Sequence, residues 1–166
     1  MMNKLLGIVA LASVAMVSGV WAEGSKESFL TAAIQGNLAE IQAGQLAQNK
    51  GFSQGVKDFG KQLVADHTAA NEQAVIVAQQ AGVNVPTAPS KDQQLEYNKL
   101  TKYNGKDFDR KFVAAMKDGH KKTIAMFEDE STRKDDGPVQ VFAVQTLPTL
   151  RSHLAMVDGL EKSVNK

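Results

Sequence analysis

The sequence predicts an all-α protein: an up-down-up-down four-helix bundle with a short extra helix in the crossover between helices two and three. Three observations point there. Four long stretches repeat apolar residues at alternating steps of three and four, the spacing that lines one face of a helix. The breaks between them carry glycine, proline and asparagine rather than alternating strand-like runs. Each stretch also holds one metal-competent side chain at or near its middle, on the apolar seam: Glu40, His67, His120 and His153. Those three histidines are all the chain has.

Residues 1–22 read as a secretory signal and stand apart from the fold. Lys4 supplies a positive start, Leu5 to Val20 is almost uninterruptedly apolar, and Val20-Trp21-Ala22 offers a processing site after Ala22. The apolar run is short of the ~20 residues a membrane span needs. The chain has no cysteine, which excludes a lipid anchor on that residue, disulfides and a haem-attachment motif. A periplasmic or otherwise exported protein is therefore expected, with no membrane span after cleavage. Loss of Lys4 also equalises basic and acidic side chains, and a neutral chain lacks the basic surplus that phosphate backbones require. No nucleic-acid partner is expected. The remaining residues, 23–166, match one domain with one core.

The helices follow in order. Helix A is expected over about 26–49, capped by Ser25 or Ser28 and stopped by Gly51, with the seam Phe29, Ala33, Gly36, Glu40, Ala43, Ala47. Ser53 caps a second helix over about 53–81, whose seam is Val56, Gly60, Leu63, His67, Ala70, Ala74, Val77, Ala81. Gly82, Pro86 and Pro89 then forbid a helix and indicate an extended crossover. A short helix over about 91–103, with Leu95 and Leu100, covers one end of the bundle. The third long helix, about 107–131, starts near Asp107 or Asp109 and carries Val113, Met116, His120, Thr123 and Phe127. The fourth, about 136–164, carries Val139, Phe142, Thr146, Thr149, His153, Met156 and Leu160. Pro148 lies inside it and is expected to bend it or force a wide turn.

Depth decides whether the four seam residues meet. With up-down-up-down connections and ~1.5 Å per residue, Glu40 lies roughly 15 Å from the shared end, His120 roughly 18 Å, His67 roughly 20 Å and His153 roughly 25 Å. Three fall within about one helical turn and His153 is the outlier. The seam pattern proposes a buried transition-metal site of Glu40, His67, His120 and His153, with Met116 and Met156 as candidate additional ligands. Imidazole and carboxylate suit Zn, a nearby Met tilts toward Cu, and Fe is the third option. Both Met residues have a plainer role as core packing. Asp66 and Asp118, beside two of the histidines, either orient a ring on a neighbouring helix or are simply solvated. The structural alternative is a buried network in which Glu40 pairs with His67 or His120 and only fixes helix register. No phosphate loop or nucleophile elbow is present, so no nucleotide cofactor is expected.

The segments NLAEIQAGQLA, VADHTAANE, FDRKFVAAMKDGH and TLPTLRSHL resemble the bacterial domain-of-unknown-function 4142 family, over about residues 27–161. The shared markers are Glu40, Asp66-His67, His120, and Leu147-Pro148 with His153. The resemblance implies a ferritin-like four-helix fold and an envelope location, and no reaction. The chain departs from carboxylate-bridged di-iron sites, which use Glu-x-x-His pairs: the residues three before the histidines are Val64, Lys117 and Leu150. Two function classes follow. One is an exported bundle that binds a metal ion, with a role in envelope metal handling or stress. The other is a non-catalytic structural or interaction module that works through an envelope protein.

If processing occurs after Ala22, the exported product lacks the chain's one tryptophan, Trp21, and absorbs near 280 nm through Tyr97 and Tyr103 alone. Intact mass of the envelope fraction checks this; a product that retains Trp21 rules the site out.

Overall fold

In the computed structural model the described residues are 20–134 and 137–165, with side chains described from Lys26 onward. The expected signal segment lies mostly outside them. Five helices form the described fold: α1 Val20–Lys50, α2 Gln54–Gln80, α3 Lys91–Leu100, α4 Gly105–Ser131 and α5 Pro138–Val164. No strand occurs among the described residues. No described helix is long and apolar enough to cross a membrane.

Local chemistry accounts for most of the ends. The Ser53 hydroxyl accepts from the Val56 N–H at the start of α2. At its other end Gly82, at φ +69°, closes the helix: its N–H reaches the Gln79 carbonyl, and the Val83 N–H reaches that of Ala78. Ser90 and Gln93 cap α3 reciprocally, each side chain taking the other's backbone N–H. Pro138 opens α5, where its missing N–H costs nothing. Two starts differ from expectation. Neither Ser25 nor Ser28 begins α1, because nothing in Val20-Trp21-Ala22-Glu23 stops a helix and the lone Gly24 is tolerated. The α4 helix begins at Gly105 after Asn104, which leaves Asp109 inside the helix and free for another task.

The connectivity corrects the expected up-down-up-down order. One apolar cluster gathers Phe29, Leu30, Ala33 and Ile34 from the start of α1 with Ala74 and Ala78 from the end of α2, Ile124 and Phe127 from the end of α4, and Val139 and Phe142 from the start of α5. The second gathers Ala43, Leu46 and Ala47 from the end of α1, Val56, Phe59 and Leu63 from the start of α2, Phe108, Phe112 and Val113 from the start of α4, and Val157 near the end of α5. The α2 and α4 helices therefore run in the same sense, antiparallel to α1 and α5: up, down, down, up. The segment from Gly82 to Asn104 makes this possible by travelling the length of the bundle. Val83 and Val85 pack on the first cluster, Tyr97 and Leu100 on the second.

Two contacts hold this arrangement. Asp109, fully buried on α4, accepts the Phe52 and Ser53 N–H groups at 2.8 Å each, so one carboxylate satisfies the exposed donors at the start of α2 and ties the α1–α2 turn to α4. Where α1 crosses α2 the backbones touch through glycine. A Cβ on Gly44 would meet the Gly60 carbonyl oxygen at 2.6 Å, and one on Gly60 would meet the Gly44 oxygen at 2.7 Å. Gly36, on the same α1, faces open space; its added Cβ would find nothing nearer than the Gln93 amide nitrogen at 4.0 Å. The α5 helix runs through Pro148 without interruption. The carbonyl that Pro148 leaves without a donor belongs to Val144, whose side chain is half exposed, so water can serve it.

Gly36→Ala is expected to stabilise the fold by roughly 0.5–1 kcal/mol through backbone entropy alone. Gly60→Ala is expected to destabilise it by roughly 1–3 kcal/mol, because overpacking outweighs the same entropic gain. Thermal melts of the two variants check the pair, and a Gly60→Ala melt at or above wild type removes the close crossing.

Candidate metal centre

Between the two apolar clusters lies a polar layer. His67 of α2, His120 of α4 and His153 of α5 are each buried to within 4 % of complete. Their ring centroids stand 5.3–5.9 Å apart, and the Phe59 ring packs on His120 and His153. One nitrogen from each can be chosen so that all three lie within 4.8 Å of one another. His153 comes level with the others because of the connectivity and not because of Pro148. Counted from the end where α1 meets α2, it is about as deep as His67, since α5 finishes at that end rather than starting there.

The outer nitrogen of each ring is held. His120 Nδ1 donates to the Met116 carbonyl at 2.9 Å, and His153 Nε2 donates to Asp66 Oδ2 at 2.8 Å. His67 Nδ1 donates to Asn37 Oδ1 at 2.9 Å. A carbonyl and a carboxylate only accept, so these three protons are fixed on the outside. A neutral imidazole carries one N–H. The inner nitrogens, His67 Nε2, His120 Nε2 and His153 Nδ1, then turn toward one another, those of His67 and His120 without a proton. His120 Nε2 and His153 Nδ1 are 3.2 Å apart, and His67 Nε2 has no hydrogen-bond partner.

Burial keeps the His67 and His120 rings uncharged. Desolvation, with the neighbouring rings opposing a second charge, pushes His67 down to about 3. Desolvation pushes His120 down to about 4 against the support of the Met116 carbonyl. Burial acts in the opposite direction on Glu40, raising its carboxyl to about 8. Burial also pushes Asp66 up, but hydrogen bonds from Gln62 and His153 outweigh it and leave the carboxyl below its usual range.

The expected ligand set changes accordingly. Glu40 is not grouped with the inner nitrogens: its Oε1 lies 4.0 Å from Nδ1 of His120, on the outer side of that ring, and its Oε2 has no partner. Met116 contributes its carbonyl, while its side chain belongs to the apolar cluster of Phe108 and Phe112. Met156 is not brought to the centre. It is 37 % exposed, because three residues beyond His153 leave it some 60° short of a full turn and off the seam. Asp66 takes the orienting role on His153, whereas Asp118 is exposed and pairs with Lys122. Asn37 is a functional neighbour that pattern reading missed. Its signal is a polar residue continuing the apolar line Leu30, Ile34 at steps of four and three.

Two cavities flank the histidines. One of about 310 Å³ opens between α1, α3 and α4 and reaches His67 and His120. The other, about 250 Å³, lies between α2 and α5 and reaches His67, His153 and Asp66.

Fold and site together define an all-helical bundle with a buried three-histidine centre capable of holding a metal ion. The chain belongs to the family described as Domain of unknown function (DUF4142), whose model matches residues 12–160. No curated protein and no solved structure matches it.

The sign of the pH dependence follows from these groups. Between pH 6.5 and about 4 the unfolded chain takes up protons on His67 and His120 that the folded protein refuses, so stability falls as pH drops. Glu40 acts oppositely: between 4.5 and about 8 the folded state holds a proton the unfolded state gives up, so stability falls as pH rises. Metal-free protein should therefore be most stable near pH 6.5, and Glu40→Gln should flatten the alkaline side. A Tm that climbs steadily from pH 6.5 to 8 in metal-free wild type contradicts the assignment.

Proposed function

We propose that this protein is an exported, ferritin-like helical bundle that binds one transition-metal ion through His67, His120 and His153 and serves envelope metal handling or stress protection. The observation that carries the metal is the arrangement of protons. Three acceptors hold the outer N–H groups, and the three inner nitrogens converge within 4.8 Å, that of His67 with no hydrogen-bond partner. Metal-bound histidines have this second shell, a carboxylate, carbonyl or amide oxygen on the nitrogen away from the ion. The 3.2 Å between His120 Nε2 and His153 Nδ1 is close to the ~3.3 Å edge of a tetrahedron with Zn–N bonds of ~2.0–2.1 Å. Three imidazoles suit Zn, Cu or Fe, and the placement of both methionines gives copper no added preference.

The ferritin-like reading is supported by one long crossover between two helical hairpins, the connection that such bundles share. Export rests on the charge and apolar pattern of residues 1–22. The competing reading, a register-fixing network, has one point in its favour. A proton on His153 Nδ1 would satisfy the His120 contact and pair the ring's charge with Asp66. It leaves His67 Nε2 bare, whereas a metal ion engages all three.

Protein purified without an affinity tag should carry near one equivalent of a transition metal by element analysis. His67→Ala with His120→Ala should abolish retention. Asp66→Asn should weaken affinity about 10- to 100-fold by loosening His153. Metal should be released only as pH falls toward about 4 and then 3, where His120 and His67 take up the protons that compete for the same lone pairs. Wild type that retains no metal and takes up none in titration with Zn²⁺, Cu²⁺ or Fe²⁺ leaves the network reading in its place.

A further inference from the structure

The cavity between α1, α3 and α4 is larger than a metal ion needs, and its walls are specific. Small residues on α1 (Ala32, Gly36, Ala39) face Ala115 and Gly119 on α4, and Tyr97 and Leu100 of α3 form the outer wall. Most of the lining surface is apolar, and Gln93, Glu96, Lys122 and Thr123 add polar groups from α3 and α4. Asn37, His67 and Glu40 line it, and each carries a buried atom without a hydrogen-bond partner: Asn37 Nδ2, His67 Nε2 and Glu40 Oε2. Asn37 and His67 are 94 % and 96 % buried, since 6 % and 4 % of their surfaces remain exposed. Buried polar atoms are nearly always paired, so three in the walls of one cavity point to something polar that belongs there.

We propose that this cavity binds a small hydroxylated aromatic molecule, its ring between α1, α3 and α4 and its hydroxyl between Asn37 and Glu40. The match is chemical. Asn37 Nδ2 is a donor, and Glu40, three residues further along α1, offers Oε2. A hydroxyl can accept from the first and pair with the second, while His67 Nε2 points away from the Nδ1 side that Asn37 holds and stays turned to the other histidines. An apolar cavity of roughly 150 Å³ suffices for benzene, so about 310 Å³ holds one ring with a substituent. Pockets of this kind, apolar with a few convergent polar groups, are where small ligands bind.

The inference goes beyond the metal reading and does not depend on it, because binding is measured on metal-free protein. Phenol is the probe and toluene, with a methyl in place of the hydroxyl, is its control. Phenol should bind saturably at one site, followed by calorimetry and by amide shifts of α1 and α4, with toluene at least tenfold weaker. Gly36→Leu fills the cavity from a position with open space around its Cβ. It should stay folded, lose phenol binding at least tenfold and keep wild-type metal content. Glu40→Leu, which removes a polar partner, should weaken phenol in the same direction. Absence of saturable phenol binding, toluene bound as tightly as phenol, or folded Gly36→Leu that binds phenol like wild type overturns the proposal. None of these outcomes alters the metal measurement, so the two readings fail separately.

Discussion

Three imidazoles share one buried space, where burial holds His67 and His120 uncharged, and the bundle is arranged around that condition. Each ring's proton is drawn outward by a different element: Asn37 of α1 for His67, the Met116 carbonyl within α4 for His120, and Asp66 of α2 for His153. No single helix could do this. The backbone carbonyl needs only a helical turn, but the other two contacts require α1 against α2 and α2 against α5. The polar layer therefore specifies how the helices sit beside one another, as well as what can occupy the space between them.

The apolar clusters above and below the layer supply most of the cohesion, because burying aliphatic and aromatic side chains is the dominant favourable term in folding. Phe29, Phe127 and Phe142 pack together at one end, and Phe108 stacks on Phe112 at the other. Within the second cluster, backbone contact at Gly44 and Gly60 draws α1 and α2 close. The α3 side is looser. There the opposing faces of α1 and α4 are built from alanine and glycine, and the space remains a cavity instead of closing.

That asymmetry matters for chemistry. The histidine layer can be approached from two sides of different character. The α2–α5 side presents Asp66, Gln73 and Gln145, groups that suit a hydrated cation. The α1–α3–α4 side is more apolar, with alanine, glycine, Met116, Met126, Phe127 and Leu100 in its walls, which suits an organic molecule with a polar end at Glu40 and Asn37. An ion and an organic ligand would therefore meet at His67, which lines both cavities.

Helical periodicity, the caps at Ser53 and Gly82 and the placement of every histidine on an apolar seam were legible in the sequence, because each depends on neighbours within a few residues. The sequence also located the layer, to within a turn, on each of three helices. It did not reveal helix direction. An extended crossover of some twenty residues can return a chain to either end, and only the packing of Val83, Val85, Tyr97 and Leu100 along the bundle decided for up-down-down-up. That one choice made His153 level with His67 and His120. Which nitrogens face inward was likewise beyond local pattern, since it turns on Asn37, Asp66 and Glu40 meeting rings on other helices. Sequence by itself determined which faces must be buried, through period and polarity; tertiary structure decided which buried groups meet, because that depends on chain direction and on hydrogen bonds between residues far apart in the chain.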